Sequence, residues 1–332
     1  MLRLVTLITA IVLCDMMFLK SNAAKNSSSY FDFSRLLKLN KRYLPIKGLC
    51  TLRIFGGIKS NLTNAPYQVA IRLQKFDYKY FLCICGGVIV TKRHVLTAAH
   101  CLIPEDLVNL YVVAGTEKGS IWLDGETQHD RLLQMERLKE YESWRTVTAM
   151  YCHTQYSLEK FRNDLGVLKL NSPLVFTHTV KPILIENEYK DYGQSYCLVT
   201  GYGTMEGFIL GVQSPYLRQV CIRVVPFDKC IQYNKVTSRT TQICAGGPGQ
   251  DTCKGDSGGP MVCDGQLVGI VSFGSVLCGV SPGVYTYITG YTHRDVPFGK
   301  CSAVHIHCYH IITVLAIAIP FIYTIVTASV LI

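Results

Sequence analysis

Gly255-Asp256-Ser257-Gly258-Gly259-Pro260 decides how this chain is read. A serine set among glycines leaves backbone N–H groups free to converge on one point. The N–H groups of Gly255 and Ser257 can hold a negative oxygen there while the Ser257 hydroxyl attacks the adjacent carbon, which is what an acyl-transfer transition state requires. A lone string of this kind is more often a glycine-serine turn, so its partners elsewhere decide the matter.

Thr97-Ala98-Ala99-His100-Cys101 supplies a base for the serine proton. Asn163-Asp164-Leu165 opens the apolar run Leu165 to Leu170, which reads as a buried strand and puts Asp164 where that strand enters the core. A carboxylate there can fix the tautomer of the imidazole and steady its charged form. Singly, His100 reads as a packed core histidine and Asp164 as a turn or cap residue. In the order His, Asp, Ser, together with the glycine string, they read as one catalytic unit.

At these residues the chain resembles the chymotrypsin family of serine proteases, over roughly residues 54 to 290. The resemblance implies an all-β fold: two six-stranded antiparallel β-barrels with the active site between them. It implies that His100, Asp164 and Ser257 are base, orienting acid and nucleophile, with Gly255 and Ser257 forming the oxyanion hole. Asp251, six residues before Ser257, matches the floor of a pocket for an Arg or Lys side chain. Gly274 and Gly283 match the positions that keep that pocket open, and Ser272 matches the serine supporting the triad aspartate. Two departures touch specificity: Phe273 stands for a tryptophan at the pocket mouth, and Lys254 for a glutamine at its rim. Lys254 should favour acidic residues just after the scissile bond. The loop Gly274 to Pro282 is re-spaced.

Arg53-Ile54-Phe55-Gly56-Gly57 resembles the activation site of trypsin-like zymogens, with Phe55 where valine is usual. The amine of Ile54, freed by a cut after Arg53, would pair with Asp256. A buried ion pair of that kind makes a workable switch. The resemblance further implies the bridges Cys85–Cys101, Cys197–Cys263, Cys230–Cys244 and Cys253–Cys278, and no metal or other cofactor. A zinc reading of Cys83-x-Cys85 ranks low because Cys85 is assigned a bridge. Cys50, Cys83, Cys152, Cys221, Cys301 and Cys308 are left over, and their connectivity is not readable. Cys50 sits where related two-chain proteases tether the propeptide, but the usual partner site holds Leu184, so Cys50 pairs elsewhere or not at all.

Residues 1–23 read as a secretory signal: Arg3, the apolar run Leu4 to Leu13, and a small-residue cleavage site at Ser21-Asn22-Ala23. Fifteen cysteines in such a chain mean disulfides. Sequons at Asn26 and Asn61 suit surface glycosylation in the same compartment. The net charge of +10 is spread along the chain. With no nucleic-acid signature, it reads as a solvated basic surface with affinity for anionic glycans or membranes.

Residues 24–53 are polar and basic and read as a propeptide in which Leu36, Leu37, Leu39 and Leu44 form one short helix. Residues 54–293 read as the protease domain. Its apolar segments are Tyr67–Leu73, Phe81–Val90, Leu107–Ala114, Leu165–Leu170, Cys197–Tyr202, Val220–Val225, Leu267–Phe273 and Val284–Ile288, with a short helix after Pro226. The family closes with an amphipathic helix. Pro297 and the missing helical stripe argue against a long one here, which leaves open how the first barrel is covered. Residues 294–310 read as a linker. Residues 311–332 are apolar and uncharged, enough to span a bilayer, and read as a membrane segment or a glycosylphosphatidylinositol signal. The absence of basic residues before the chain stops at Ile332, and the small residues Cys301-Ser302-Ala303, favour the signal.

The expected function is a secretory-pathway serine endopeptidase, made as a zymogen, cutting protein or peptide substrates after Arg or Lys. Its expected partners are an activating protease and protein inhibitors, and its expected place is the outer face of the plasma membrane. The competing reading is a non-catalytic homologue acting by binding, although such proteins usually lose a triad member and this chain keeps all three.

Overall fold

The computed structural model describes residues 30–45, 50, 57–103, 107–205, 212–234, 236, 238–275, 277–292 and 296–301. The signal segment, Asn26, the Arg53–Ile54 junction and the apolar tail lie outside them. The chain begins with strand β1 (Tyr30–Asp32), helix α1 (Phe33–Asn40) and strand β2 (Ile58–Lys59). Next come β3 (Gln68–Lys75), β4 (Tyr80–Thr91), β5 (His94–Thr97), β6 (Leu110–Ala114), β7 (Ile121–Trp122), α2 (Gln128–Lys139), β8 (Ser143–His153) and β9 (Gly166–Leu170). Then follow β10 (Tyr196–Gly201), β11 (Arg218–Val225), α3 (Phe227–Tyr233), β12 (Gln242–Ala245), β13 (Pro260–Cys263), β14 (Gln266–Phe273), β15 (Gly283–Tyr287) and β16 (Pro297–Lys300).

Two closed antiparallel barrels of six strands each result. The first runs β8-β6-β3-β4-β5-β9 and closes where β8 pairs with β9. The second runs β10-β13-β14-β15-β12-β11 and closes where β10 pairs with β11. Closure removes the open strand edges that would otherwise pair with other chains. The second barrel is filled by Val199, Ile222, Val224, Met261, Val268 and Tyr285 among others. Strand β3 is buried at every position from Gln68 to Leu73, so it reads as a continuous run rather than an alternation. β16 pairs with β8 where a closing helix was in question, and β1 lies beside β16.

Arg72, in the middle of β3, is wholly buried. Its guanidinium donates to the carbonyls of Lys118 and Gly119 at 2.7 Å each and to Thr116 Oγ1 at 3.0 Å, and pairs with Glu142 at 3.3 Å. The Trp144 ring lies beneath it, 4.7 Å from the guanidinium carbon. A buried arginine is tolerable only when its donors are matched in this way.

The helix expected near Leu36 is α1. It buries Phe33, Leu36, Leu37 and Asn40, while Leu44 lies beyond it and is 81% exposed. The helix after Pro226 is α3 and buries Cys230. Disulfides join Cys85–Cys101, Cys197–Cys263, Cys230–Cys244 and Cys253–Cys278. Cys50 bonds Cys221 on β11, settling the partner its sequence context left open. Cys152 and Cys301 are each disulfide-bonded as well, and Cys83 is a buried free thiol.

Candidate active site

β5 ends at Thr97, and one turn of 3-10 helix, Ala99–Cys101, presents His100 at the rim of the first barrel. Asp164 precedes β9 and is completely buried. His100 Nδ1 lies 2.8 Å from Asp164 Oδ2, and the His100 backbone N–H donates to Oδ1 at 2.9 Å. The carboxylate thus grips the histidine at ring and backbone together, with Nδ1 as the protonated nitrogen. Two groups from the second barrel complete the hold on this aspartate. Ser272 on β14 donates to Oδ2 at 2.6 Å, and Thr286 on β15 donates to the Asp164 carbonyl at 2.8 Å. Burial alone would lower the pKa of His100; the charge of Asp164 and its hydrogen bond outweigh burial and leave it raised.

Ser257 comes from the turn before β13 and is carried against the first barrel by its backbone. Gly86 N–H donates to the Ser257 carbonyl at 2.8 Å. The Cys85–Cys101 disulfide joins the neighbour of Gly86 to the neighbour of His100. Gly258, at φ +77°, presses on Thr97 and Gly86: a Cβ there would fall 2.1 Å from Thr97 Oγ1 and 2.5 Å from the Gly86 carbonyl oxygen. No hydrogen bond joins Ser257 to His100. The N–H groups of Gly255 and Ser257 donate to no acceptor among the described residues. Triad hydrogen bonds that are long before substrate binds and then tighten are a common feature of such sites.

Asp251 and Asp256 line one cavity of about 200 Å³, together with Gly57, Thr200, Gly203 and Arg218. Asp251 accepts from Thr252 N–H at 2.8 Å and Gly279 N–H at 3.0 Å. Burial pushes its carboxyl up to about 6 against the pull of those bonds, and Asp256 adds to the rise. A side chain at Gly283 would press on this carboxylate, its Cβ falling 2.7 Å from Oδ1. Gly274 stands across the same space: a Cβ there would lie 3.7 Å from Gly283 Cα. Asp256 accepts from Gly203 N–H at 2.8 Å and Cys253 N–H at 2.9 Å. It has no cationic partner among the described residues, and burial lifts it to about 6 as well. Lys254 is exposed.

Sulfurs of Cys85 and Cys101 and a ring nitrogen of His100 lie within 4.8 Å of one another. The sulfurs are bonded to each other, so neither is the thiolate a metal needs. Cys83 is a protonated thiol, its pKa pushed by burial up to about 12, so Cys83-x-Cys85 offers no thiolate pair either. Two contributors escaped sequence reasoning. Thr286, in an apolar strand, gave no polar signal. Phe161, in a polar loop at φ +45°, stands edge-on to His100 with centroids 5.9 Å apart and stacks on Phe273 at 5.1 Å.

Comparison with known proteins agrees with this geometry. The trypsin family profile matches residues 54–294. Mouse kallikrein 1-related peptidase b11 is 34% identical over 257 residues, covering 73% of this chain and 87% of the relative. Mouse kallikrein 1-related peptidase b1 is 35% identical over 72% of this chain and 87% of its own length. The structure of neuropsin, a serine protease expressed in the limbic system of mouse brain, superposes with a TM-score of 0.58 at 32% identity, covering 72% of this chain and 96% of neuropsin. The chain belongs to the trypsin family, the chymotrypsin-fold serine proteases. It is a serine endopeptidase, a hydrolase acting on protein substrates.

Proposed function

We propose that this endopeptidase is a zymogen that cuts after Arg or Lys once the chain is cleaved after Arg53. His100 Nε2 takes the Ser257 proton as Oγ attacks the scissile carbonyl, and the same nitrogen later returns it to the leaving amine. Asp164 holds the Nδ1–H and offsets the imidazolium charge from inside the protein. The N–H groups of Gly255 and Ser257 receive the oxyanion. Asp251 receives the substrate cation at the pocket floor, and Lys254 biases the next residue toward acidic side chains. The carrying observation is the shared cavity, where the carboxylates of Asp251 and Asp256 face one space and neither is ion-paired among the described residues; Arg218, which also lines it, donates to the Gly57 carbonyl instead. One cation, from substrate, suits Asp251; the other, the amine of Ile54, suits Asp256.

The same reading extends to the rest of the chain. Residues 1–23 direct export, 24–53 form the pro-segment, 54–293 the protease domain and 294–310 a linker. Residues 311–332 attach the enzyme to the outer membrane face, through a lipid exchanged for the tail. Asn61, whose side-chain oxygen accepts from Thr63 at 3.0 Å on an exposed turn, carries a glycan. An activating protease and protein inhibitors act on it from outside.

A fluorophosphonate probe, applied before and after cleavage at Arg53, tests the catalytic part. Labelling of Ser257 only in the cut chain is expected, and labelling absent from both forms would remove the triad. A phosphatidylinositol-specific phospholipase applied to expressing cells should release the enzyme. Retention with a detectable C-terminal tag would mean a permanent span.

A further inference from the structure

The trypsin profile begins at residue 54, yet residues before it are built into the first barrel. Phe33, Leu36 and Asn40 on α1 are each no more than 2% exposed. Phe33 stacks on Phe298 of β16 at 5.0 Å, and Phe31 stacks on Tyr151 of β8 at 5.0 Å and touches the His94 ring of β5 at 5.5 Å. Asp32 caps the helix by accepting from Arg35 N–H. A segment made only to be discarded would be expected to leave its apolar groups in water; this one places them in the core.

Asn40 is the most telling contact. Its side-chain amide donates to the carbonyls of Val90 at 2.9 Å and Ile183 at 2.8 Å, and its oxygen accepts from Ile185 N–H at 2.7 Å. Val90 belongs to β4 of the first barrel. Residues 183–185 belong to the strap that crosses between the barrels. Ile183 N–H donates to Ile89 on the first barrel, and Leu184 accepts from Leu267 on the second. One buried side chain therefore satisfies three main-chain groups on the path that sets how the barrels meet, and such groups are rarely left unpaired.

We infer that the segment Phe31–Asn40 is a permanent light chain: after cleavage at Arg53 it stays docked on the first barrel, and the mature enzyme needs it to hold the inter-barrel strap. The Cys50–Cys221 disulfide tethers the segment covalently, but the packing above is sufficient to retain it without that bond. The inference rests on the proposed cut after Arg53 for its light-chain form.

The test uses the full chain with Cys50→Ser and Cys221→Ser, cut after Arg53 and passed through gel filtration without denaturant. Co-elution of the segment with the catalytic chain is expected, and Asn40→Ala in that background should release it and lower kcat/KM at least about tenfold. Leu44→Ala, on an exposed residue, should do neither. A segment that separates while the catalytic chain keeps its full kcat/KM and melting temperature overturns the inference. A chain that proves active without the cut sinks the activation reading alone, and the docking is then read from melting of the uncut chain. Asn40→Ala should lower the midpoint by several degrees, and a shift under about 1 °C overturns the docking. If Asn40→Ala does not fold, hydrogen exchange on the cut wild-type enzyme decides. Amides of Leu36 to Asn40 protected like those of β4 support the inference, and immediate exchange refutes it.

Discussion

Cation binding in the pocket should follow the ionisation of Asp251. Its carboxyl is pushed up to about 6 by burial and by Asp256, so it is anionic above that pH and neutral below. A cationic ligand gains its ion pair only with the anion. At pH 5 about one molecule in eleven is ionised, so affinity should fall about tenfold between pH 7.5 and pH 5. The probe is benzamidine, an aromatic amidine that needs neither a nucleophile nor a base, titrated by fluorescence or calorimetry with the cut enzyme. Asp251→Ser should abolish the pH dependence. It should also reduce the preference for Arg over Phe in kcat/KM by roughly two to nearly four orders of magnitude, the cost of about 3 to 5 kcal/mol for leaving a buried cation unpaired. An affinity flat from pH 8 to pH 5, or a native enzyme favouring Phe or Leu, would show that the re-spaced loop around Cys278 and not Asp251 governs the pocket.

Ser257→Ala should abolish peptide hydrolysis while folding survives, since the hydroxyl makes no hydrogen bond among the described residues; activity within tenfold of wild type, measured by progress curves, removes the assignment. Asp256→Asn should block activation even after the cut. Wild-type activity should also fall as alkaline pH takes the proton from the Ile54 amine, whose reference pKa is about 8. Full activity of the uncut chain contradicts both. Arg72→Met should leave Glu142 without its cation and take a donor from three further acceptors, the Lys118 and Gly119 carbonyls and Thr116 Oγ1. A loss of roughly 3 to 5 kcal/mol, seen as a melting midpoint lower by about 10 °C, is expected, and a shift below 2 °C means the network adds nothing.

The barrels were legible because β-branched runs between turn residues carry most of the strands. All eight apolar segments fall on strands, among them β3, β4, β9, β10, β14 and β15. β8 was not legible: its burial is partial and irregular along eleven residues, leaving no clean alternation. α2 hid for the opposite reason, being polar on nearly every side with only Met135 buried, although the Thr127–Asp130 capping box was there to be read. The triad region was legible because acyl transfer demands residue types in a fixed order and a glycine string that packing does not. The docked α1 was half legible. Its leucines suggested a helix, but Asn40 occupies a core position that hydrophobic periodicity assigns to an apolar residue, and its partners lie 50 and 143 residues away. The Cys50 partner, 171 residues on and inside a strand, left no local trace.

Cys83 has a consequence for handling the protein. Sealed in the first barrel and held protonated at neutral pH by a pKa near 12, it is chemically silent while the barrel stays shut. Once the barrel opens, the thiol returns to its ordinary range and meets disulfides that are now unshielded. Thiol–disulfide exchange then shuffles the bridges, so heating past the transition should leave a chain that cools into mispaired forms. An alkylating reagent present during heating would cap the thiol at the moment of exposure, and the rate of that capping is a clock for how often the first barrel opens.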